Sequence, residues 1–226
     1  MKYTTLFFDA DDTLLDFHAA EEHALELILR DHNIPFNEDT HTLYSRTNQE
    51  YWEAFERGEI PKSAIFVGRY KTFLERSGYT GDAEAIAKGY EEYLSRQPQL
   101  IAGAFDILKK LAAKYDVYIL TNGAERVQER RLKDSGIADA VKGVFVSETV
   151  GVPKPEKGYF DYVFKNIRET DKQKILLIGD SQSSDILGGI NAGIDTCWYN
   201  PRGKSGKYSP TYEIKDLSEL EKMLDC

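Results

Sequence analysis

The feature that most constrains this chain is its first apolar segment, which runs directly into a cluster of carboxylates. Residues 3–15 read YTTLFFDADDTLL. The apolar run at 6–8 is short and continuous, a pattern typical of a strand buried on both faces of a parallel sheet. The polar cluster that follows it consists of Asp9, Asp11, Asp12 and Thr13. The cluster falls at the carboxyl end of the predicted strand, where open α/β sheets bind ligands.

The three acids of this cluster repel one another if they fold close together. Unit charges about 4 Å apart repel by roughly 4 kcal/mol at an effective dielectric constant of 20. A bound cation is therefore expected. Asp9 and Asp11 are two residues apart, so their side chains share a face if the backbone is extended. The alternative is an ordinary strand followed by a solvated acidic turn, and the rest of the chain decides between the two.

Length and charge restrict the class of protein. The 226 residues suffice for one large α/β domain, or for a core of about 150 residues with a smaller insert. The net charge of −9 argues against a nucleic-acid polymer or an anionic membrane as partner, although a small anionic ligand remains possible. No segment has the length of a membrane span or the pattern of a signal peptide, so we expect a soluble, cytoplasmic protein. Cys197 and Cys226 have no metal-like spacing and are predicted to be free thiols.

The segment 17–97 has a helical pattern throughout. Apolar and aromatic residues recur along it at the spacing of one helix face, and Gly, Pro and Asn residues separate the stretches. We predict four helices, within residues 19–32, 40–57, 62–78 and 82–96. Their aromatic stripes are more typical of the core of a helical bundle than of a ligand site.

After this segment the pattern changes to helices alternating with strands, which indicates βαβ units and a parallel sheet. The predicted strands are 117–120, 144–146, 175–178 and 196–199. The predicted helices are 105–113, 125–134, 159–167, 184–192 and 217–224.

Polar residues follow several of these strands. They are Thr121, Asn122, Gly123, Lys154, Asp180 and Asp185. Because the carboxyl ends of parallel strands lie on one edge, we expect these residues to converge with Asp9 and Asp11. Each of these signals alone has an ordinary explanation, such as a turn, a solvated loop or a helix cap. Their occurrence together, in this order and each after a strand, favours a functional site.

The residue types in this site are complementary. Carboxylates such as Asp9 and Asp180 suit Mg²⁺, a hard cation that prefers oxygen ligands. Thr121 offers a hydroxyl hydrogen bond to an anion, and Lys154 neutralises its charge. The backbone N–H groups of Asn122 and Gly123, near a helix start, are positioned to bind the same anion.

With these motifs the chain resembles the phosphohydrolases of the haloacid dehalogenase superfamily. The matching pieces are DADDT at 9–13, the strand ending at Thr121, Lys154-Pro155, and GDSQSSD at 179–185. The resemblance implies a doubly wound, Rossmann-like parallel sheet with strand order 5-4-1-2-3, formed by residues 1–16 and 98–226. Residues 17–97 occupy the place of that superfamily's type-1 helical cap.

The resemblance also implies roles for the site residues. Asp9 is similar to the nucleophile that becomes an aspartyl phosphate. Asp11 is similar to the general acid and base, and its backbone carbonyl is similar to a Mg²⁺ ligand. Asp180 completes the protein ligands of the metal, and Asp185 acts on metal-bound water or on Lys154. The acid at Asp11 favours phosphoryl transfer, because the dehalogenases of the superfamily lack it. Asp12 exceeds the needs of the motif and is interpreted as structural.

The sequence of the cap bears on the substrate. The stretches YSRTNQEYWEAFERGEIP and GRYKTFL resemble pyrimidine nucleoside 5′-monophosphatases of the superfamily. Asn48 and Trp52 lie four residues apart on one helical face and are candidates to contact a nucleobase; Arg69 is a candidate to contact base or phosphate. The alternative is that Trp52 belongs to the bundle core and the other two are solvated. We therefore expect a small phosphorylated metabolite, a nucleoside monophosphate, as substrate, and a monomer or homodimer.

Three other functions remain open at this stage. A phosphosugar phosphatase and an isomerase resembling β-phosphoglucomutase share the same core, acid pair and cap. A non-enzymatic phospho-acceptor module of the response-regulator kind also uses acids, a threonine and Lys-Pro on a doubly wound sheet. Its shorter length and lack of a helical insert argue against it.

Overall fold

The chain forms two compact units, which the computed structural model describes over residues 2–224. One unit contains the residues up to Phe17 and those from Pro98 onward, and the other is His18–Gln97. Phe17 thus belongs to the first unit and not to the predicted cap at 17–97. The predicted free thiol of Cys226 lies outside the described residues, whereas Cys197 is a buried free thiol.

A parallel sheet forms the centre of the first unit. Its strands are β1 (Thr5–Phe8), β2 (Asp116–Thr121), β3 (Gly143–Val146), β4 (Ile175–Gly179), β5 (Asp195–Tyr199) and β6 (Tyr212–Ile214). Their order is β3-β2-β1-β4-β5-β6, and every pair is parallel. This confirms the expected order of five strands and adds β6 at one edge. The order reverses at β1, which makes the end of β1 the point where such sheets bind ligands.

Both faces of the sheet are covered by apolar side chains. Leu6 and Phe8 of β1 belong to one buried cluster, together with Ile107 and Leu111 of a flanking helix. Phe7, which points to the opposite face, belongs to a second cluster. A strand buried on both faces explains why its sequence is apolar at each position and does not alternate.

The helices of this unit surround the sheet. They are α5 (Ala104–Ala112), α6 (Glu125–Asp134), α7 (Ile137–Ala140), α8 (Ser147–Val150), α9 (Lys157–Lys165), α10 (Leu187–Ala192) and α11 (Glu219–Met223). The short α7 and α8 and strand β6 were not predicted. The predicted helix at 184–192 begins differently, with a π-helical turn at Gln182–Ile186 that precedes α10. Among residues 2–224, no helix is both long and apolar enough to cross a membrane.

The second unit consists of helices. They are α2 (Glu38–Glu56), α3 (Lys62–Ser77), α4 (Ala83–Ser95) and the part of α1 (Phe17–Asp31) from His18 onward. Asn37 caps α2, accepting a hydrogen bond from the backbone of Thr40, while the Thr40 side chain accepts one from the Asn37 backbone. The interior is aromatic: the rings of Tyr44 and Tyr70 stack with centroids 5.4 Å apart. Of the predicted aromatic stripes, Tyr44, Tyr70, Phe73 and Tyr90 form core, whereas Tyr51, Trp52 and Phe55 of α2 are only partly buried.

The packing of α10 against β5 gives a prediction. A Cβ atom added at Gly189 of α10 would lie 2.2 Å from Cγ2 of the buried Thr196, whereas at Gly158 of α9 it would lie 3.4 Å from Val152, an ordinary contact. We expect Gly189→Ala to lower the free energy of unfolding by about 1–3 kcal/mol, because the strand side chain has no room to move. The matched Gly158→Ala should leave it unchanged or raise it by up to about 1 kcal/mol. Urea unfolding followed by circular dichroism compares the two, and equal effects would contradict the packing argument.

Candidate active site

The polar residues predicted to converge lie at the carboxyl edge of the sheet. Asp9 directly follows β1, Thr121 is the last residue of β2, and Asp180 directly follows β4. The pairing of β1 with both β2 and β4 brings these strand ends level with one another. Lys154, in the loop between α8 and α9, reaches them by direct contacts.

The ammonium group of Lys154 is the most extensively bonded group of the site. It donates to Oδ1 of Asp9 at 2.7 Å, to Oδ1 of Asp185 at 2.7 Å and to the carbonyl oxygen of Leu120 at 2.8 Å. Lys154 and Asp185 are fully enclosed, with at most 1% of their surface exposed. An ammonium group has three donors, and all of them are used here. Burial alone lowers the pKa of Lys154, but the carboxylates of Asp185 and Asp9 raise it above its ordinary value, so the group stays charged.

Asn122 fixes the backbone that carries this lysine. Its side-chain nitrogen donates to the Lys154 carbonyl at 2.9 Å, and its side-chain oxygen accepts from the Lys154 N–H at 2.9 Å. The sequence had suggested only the backbone of Asn122, so this side-chain role is new. The Gly123 N–H, a predicted phosphate-binding group, donates to Thr121 Oγ1 at 3.0 Å, because the turn closes back on the end of the strand.

Asp180 and Asp9 are linked through Thr13. The Thr13 hydroxyl accepts a hydrogen bond from the Asp180 N–H at 3.1 Å, and it lies 3.5 Å from Oδ2 of Asp9. Thr13 is fully buried, so its hydroxyl joins the turn after β1 to the turn after β4.

Both carboxylate oxygens of Asp185 accept hydrogen bonds. While Oδ1 accepts from Lys154, Oδ2 accepts from the backbone N–H of Ser181 at 3.0 Å. A Cβ atom at Gly179 would lie 2.2 Å from Oδ2 of Asp185, so only glycine allows this approach at the end of β4. Since both carboxylate oxygens are engaged, the contacts favour the supporting role that the sequence resemblance implied for Asp185.

The site carries an excess of negative charge. Oxygen atoms of Asp9, Asp180 and Asp185 all lie within 4.8 Å of one another, and Lys154 is bonded to Asp9 and Asp185. Burial raises the pKa of Asp180 well above its ordinary value, and the charges of Asp9 and Asp185 add to the rise. Burial likewise raises the pKa of Asp9, against the opposing effect of Lys154. Hard oxygen donors with two uncompensated negative charges, when all three are ionised, fit a divalent cation such as Mg²⁺.

Asp11 is held by two residues of α6 that the sequence analysis did not identify. Arg131 Nη1 donates to Oδ1 of Asp11 at 2.5 Å, and Gln128 Nε2 donates to Oδ2 at 2.7 Å. Three residues apart, Gln128 and Arg131 lie on one face of the helix, but the highly charged sequence of α6 gives no sign that this face is buried. Asp12, interpreted as structural, accepts a hydrogen bond from the N–H of Phe17 at the start of α1.

The three candidate residues of the cap differ in their surroundings. Asn48 and Arg69 are buried, with 4% exposure each, so the alternative that they are solvated is wrong. Arg69 Nη1 donates to the Asn48 side-chain oxygen at 2.7 Å, and Asn48 Nδ2 donates to the buried carboxylate of Glu21 at 2.6 Å. Trp52 is partly exposed, and its ring packs edge-on against Phe55.

Comparison with known proteins gives consistent results. A family model of haloacid dehalogenase-like hydrolases matches residues 3–193. The chain is 44% identical to a Bacillus subtilis (strain 168) protein named "Putative HAD-hydrolase YfnB", over 99% of this chain and 96% of that protein. A magnesium-bound crystal structure of YfnB superposes with a TM-score of 0.96 at 43% identity, covering 100% of each chain.

Two further relatives carry an activity in their names. The pyrimidine 5′-nucleotidase PynA of Streptococcus pneumoniae (strain ATCC BAA-255 / R6) is 37% identical, over 100% of this chain and 95% of that protein. The pyrimidine 5′-nucleotidase YjjG of Escherichia coli (strain K12) is 33% identical, over 99% of each.

The charge excess predicts a pH-dependent response to Mg²⁺. Without metal, folding raises the pKa of Asp9 to about 8 and also raises that of Asp180, so rising pH ionises both and weakens the folded state relative to the unfolded chain. Mg²⁺ binds the ionised form, and the melting temperature should therefore rise more on adding Mg²⁺ at pH 8 than at pH 6. Differential scanning fluorimetry measures this.

Two variants accompany that measurement. Asp180→Asn should lose most of the Mg²⁺-dependent rise, whereas Asp161→Asn, which alters an exposed carboxylate paired with Lys157, should keep it. A rise in melting temperature on adding Mg²⁺ that is equal at pH 6 and pH 8, or that is unchanged in Asp180→Asn, would contradict the assignment of this cluster as a metal site.

Proposed function

The chain belongs to the haloacid dehalogenase-like hydrolases and is a phosphatase of that family, and we propose that it is a Mg²⁺-dependent nucleoside 5′-monophosphatase with a preference for pyrimidines. The observation that carries the proposal is the contact of Lys154 with Asp9 beside Thr121 and Asp180, on a chain whose relatives include two pyrimidine 5′-nucleotidases. Membership in a hydrolase family sets aside the phospho-acceptor alternative.

In the proposed reaction Asp9 attacks the phosphorus atom and the ester alcohol leaves. The attack converts one difficult displacement into two easier ones, with an aspartyl phosphate between them. Lys154 orients the Asp9 carboxylate by its hydrogen bond to Oδ1, which leaves Oδ2 for the attack. The Thr121 hydroxyl donates a hydrogen bond to the phosphoryl oxygens in this proposal, and the positive charge of Lys154, whose three N–H groups are already engaged, stabilises their negative charge through space.

Asp11 transfers protons in both steps of this proposal. It protonates the leaving alcohol in the first and accepts a proton from water in the second. Asp9, Asp180 and the backbone carbonyl of Asp11 are the proposed Mg²⁺ ligands. Held by these groups, Mg²⁺ would supply positive charge that offsets the negative charge of the carboxylates and of the phosphoryl group. Asp185 keeps Lys154 in place.

Loss of the Asp9 nucleophile tests this mechanism. Asp9→Asn should reduce phosphate release by more than about 10³-fold, because the amide is a poor nucleophile of nearly the same shape. Folding should be preserved, since burial already disfavours the charged carboxylate. Asp12→Asn is the matched control: it keeps the side-chain oxygen that accepts from Phe17 and should retain parental activity within threefold. Phosphate release by Asp9→Asn within tenfold of the parent would refute the assignment.

Substrate choice is assigned in this proposal to the helical unit, because the core residues recognise only the phosphoryl group. UMP and dTMP should be hydrolysed with higher kcat/KM than sugar phosphates, as measured by phosphate release. A preference for sugar phosphates would remove the nucleotidase proposal and leave the phosphatase standing. Transfer of phosphate back to a sugar substrate would indicate an isomerase instead.

Trp52 is proposed to stack on the base, and Asn48 to orient Arg69 for contact with the nucleotide. Stacking on a base is worth roughly 1–3 kcal/mol, so Trp52→Ala should raise KM for UMP by about 5- to 150-fold. It should leave KM for glycerol 2-phosphate nearly unchanged. Phe55→Leu, which alters the neighbouring ring on the same helix, is the control for disturbance of α2. Equal losses on both substrates would make Trp52 a structural residue.

A further inference from the structure

Two fully buried polar side chains on α6 contact the candidate active site without being part of its motifs. Gln128 and Arg131 both have 0% exposure. Arg131 donates to Oδ1 of Asp11, and Gln128 Nε2 donates both to Oδ2 of Asp11 at 2.7 Å and to Oγ1 of Thr121 at 2.8 Å. Burying a guanidinium and an amide is costly unless they are paired, and here their bonds go to two proposed functional groups.

These contacts constrain the orientation of Asp11. A carboxylate has about four lone-pair sites, two on each oxygen. Each oxygen of Asp11 accepts one hydrogen bond from α6 and keeps one site for another donor. The carboxylate is thereby fixed in one orientation with its remaining acceptor sites available to water.

Gln128 has a second effect, on Thr121. The Thr121 hydroxyl oxygen accepts from the Gly123 N–H at 3.0 Å and from Gln128 Nε2, which fills both of its acceptor sites. Its hydrogen is therefore directed away from both donors and is available to an anion. A Cβ atom at Gly123 would lie 2.6 Å from Gln128 Nε2, so the glycine makes room for this amide.

We propose that Gln128 and Arg131 are positioning residues that orient Asp11 for activation of water in the second half of the reaction, and that Gln128 joins this function to phosphate binding by Thr121. The proposal rests on the proposed function of Asp9 and Asp11. In the step concerned, a water oxygen forms a bond to the phosphorus of the Asp9 aspartyl phosphate while one water proton passes to Asp11. The bond between phosphorus and Asp9 breaks, its electron pair returns to the Asp9 carboxylate, and inorganic phosphate is released.

A burst experiment with p-nitrophenyl phosphate and Mg²⁺ tests the proposal. The p-nitrophenolate leaving group departs without a proton, so the first half of the reaction does not need Asp11. Arg131→Met and Gln128→Met should both give a burst of about one p-nitrophenol per active site, followed by steady-state turnover 10- to 100-fold slower than in the parent, the range found for residues that orient a reacting group. Arg131→Lys, which keeps a cation, should recover part of the steady-state rate.

The matched control is Arg130→Met. Arg130 is adjacent on α6, lies at the surface and pairs with Asp134, so this variant should show parental kinetics. A variant that is merely destabilised loses active sites, which lowers burst amplitude and steady-state rate together. Burst amplitudes near one with a slowed second phase are not produced in that way, and melting curves verify folding.

The Asp11→Asn variant distinguishes the proposed role of Asp11 from the positioning role proposed for Gln128 and Arg131. If Asp11→Asn turns over at the parental rate, the proposed role of Asp11 itself is wrong. If Asp11→Asn shows a slow second phase but Arg131→Met and Gln128→Met do not, the positioning proposal alone is overturned. Adding Arg131→Met to Asp11→Asn should slow the second phase less than threefold further, because the residue that Arg131 orients is already lost. A full further loss in the double variant would assign Arg131 a different role.

Discussion

The buried ammonium group of Lys154 connects the turn after β1, the backbone of β2 and the turn after β4 through three hydrogen bonds, while its own loop follows α8. A buried ion pair is weak as a source of net stability, because desolvation offsets the attraction between the charges. Losing one partner, however, leaves an unpaired buried charge at a cost of about 3–5 kcal/mol. The lysine therefore fixes the relative positions of the strand ends more than it stabilises the fold, and Asn122 secures its backbone from the side of β2.

This arrangement leaves the carboxylates of the site with an excess of negative charge. Asp9 and Asp185 share one cation, and Asp180 has its own N–H bound to Thr13 but no basic side chain among its bonded partners in residues 2–224. Its raised pKa follows from burial and from the carboxylates beside it. A core chosen for stability alone avoids such a cluster, whereas a site that binds a cation and then a phosphate needs it. The same negative charge that weakens the metal-free fold would attract a divalent cation.

The sequence predicted the features that depend on the spacing of apolar residues. It did not predict those that depend on the direction in which a polar side chain points. The buried strands and the edge at which Asp9, Thr121 and Asp180 meet follow from apolar runs and from the rule that parallel strands end on one side, whereas the strand order came from the family resemblance. Strand β6 is three residues long and has no pattern of its own; only pairing with β5 defines it. Gln128 and Arg131 lie on a helix with charges on most faces, where sequence does not reveal which face is buried. The Asn122 side chain likewise resembles an ordinary turn residue until its partner is known.

In the helical unit, too, the sequence predicts the core positions but not the polar contacts of the interior. Tyr44, Tyr70 and Tyr90 occupy the core positions that their spacing indicates, yet the guanidinium of Arg69 lies over the rings of Tyr70 and Tyr90 at 5.0 and 5.1 Å. Asn48 links it to Glu21, so a buried charge is balanced through an amide rather than by a direct ion pair. Arg69 Nε makes no hydrogen bond within residues 2–224 and is buried. A bundle that needed only stability gains little from an incompletely bonded arginine in its core. This incompletely bonded cluster is the physical reason for our proposal that substrate choice lies in this unit.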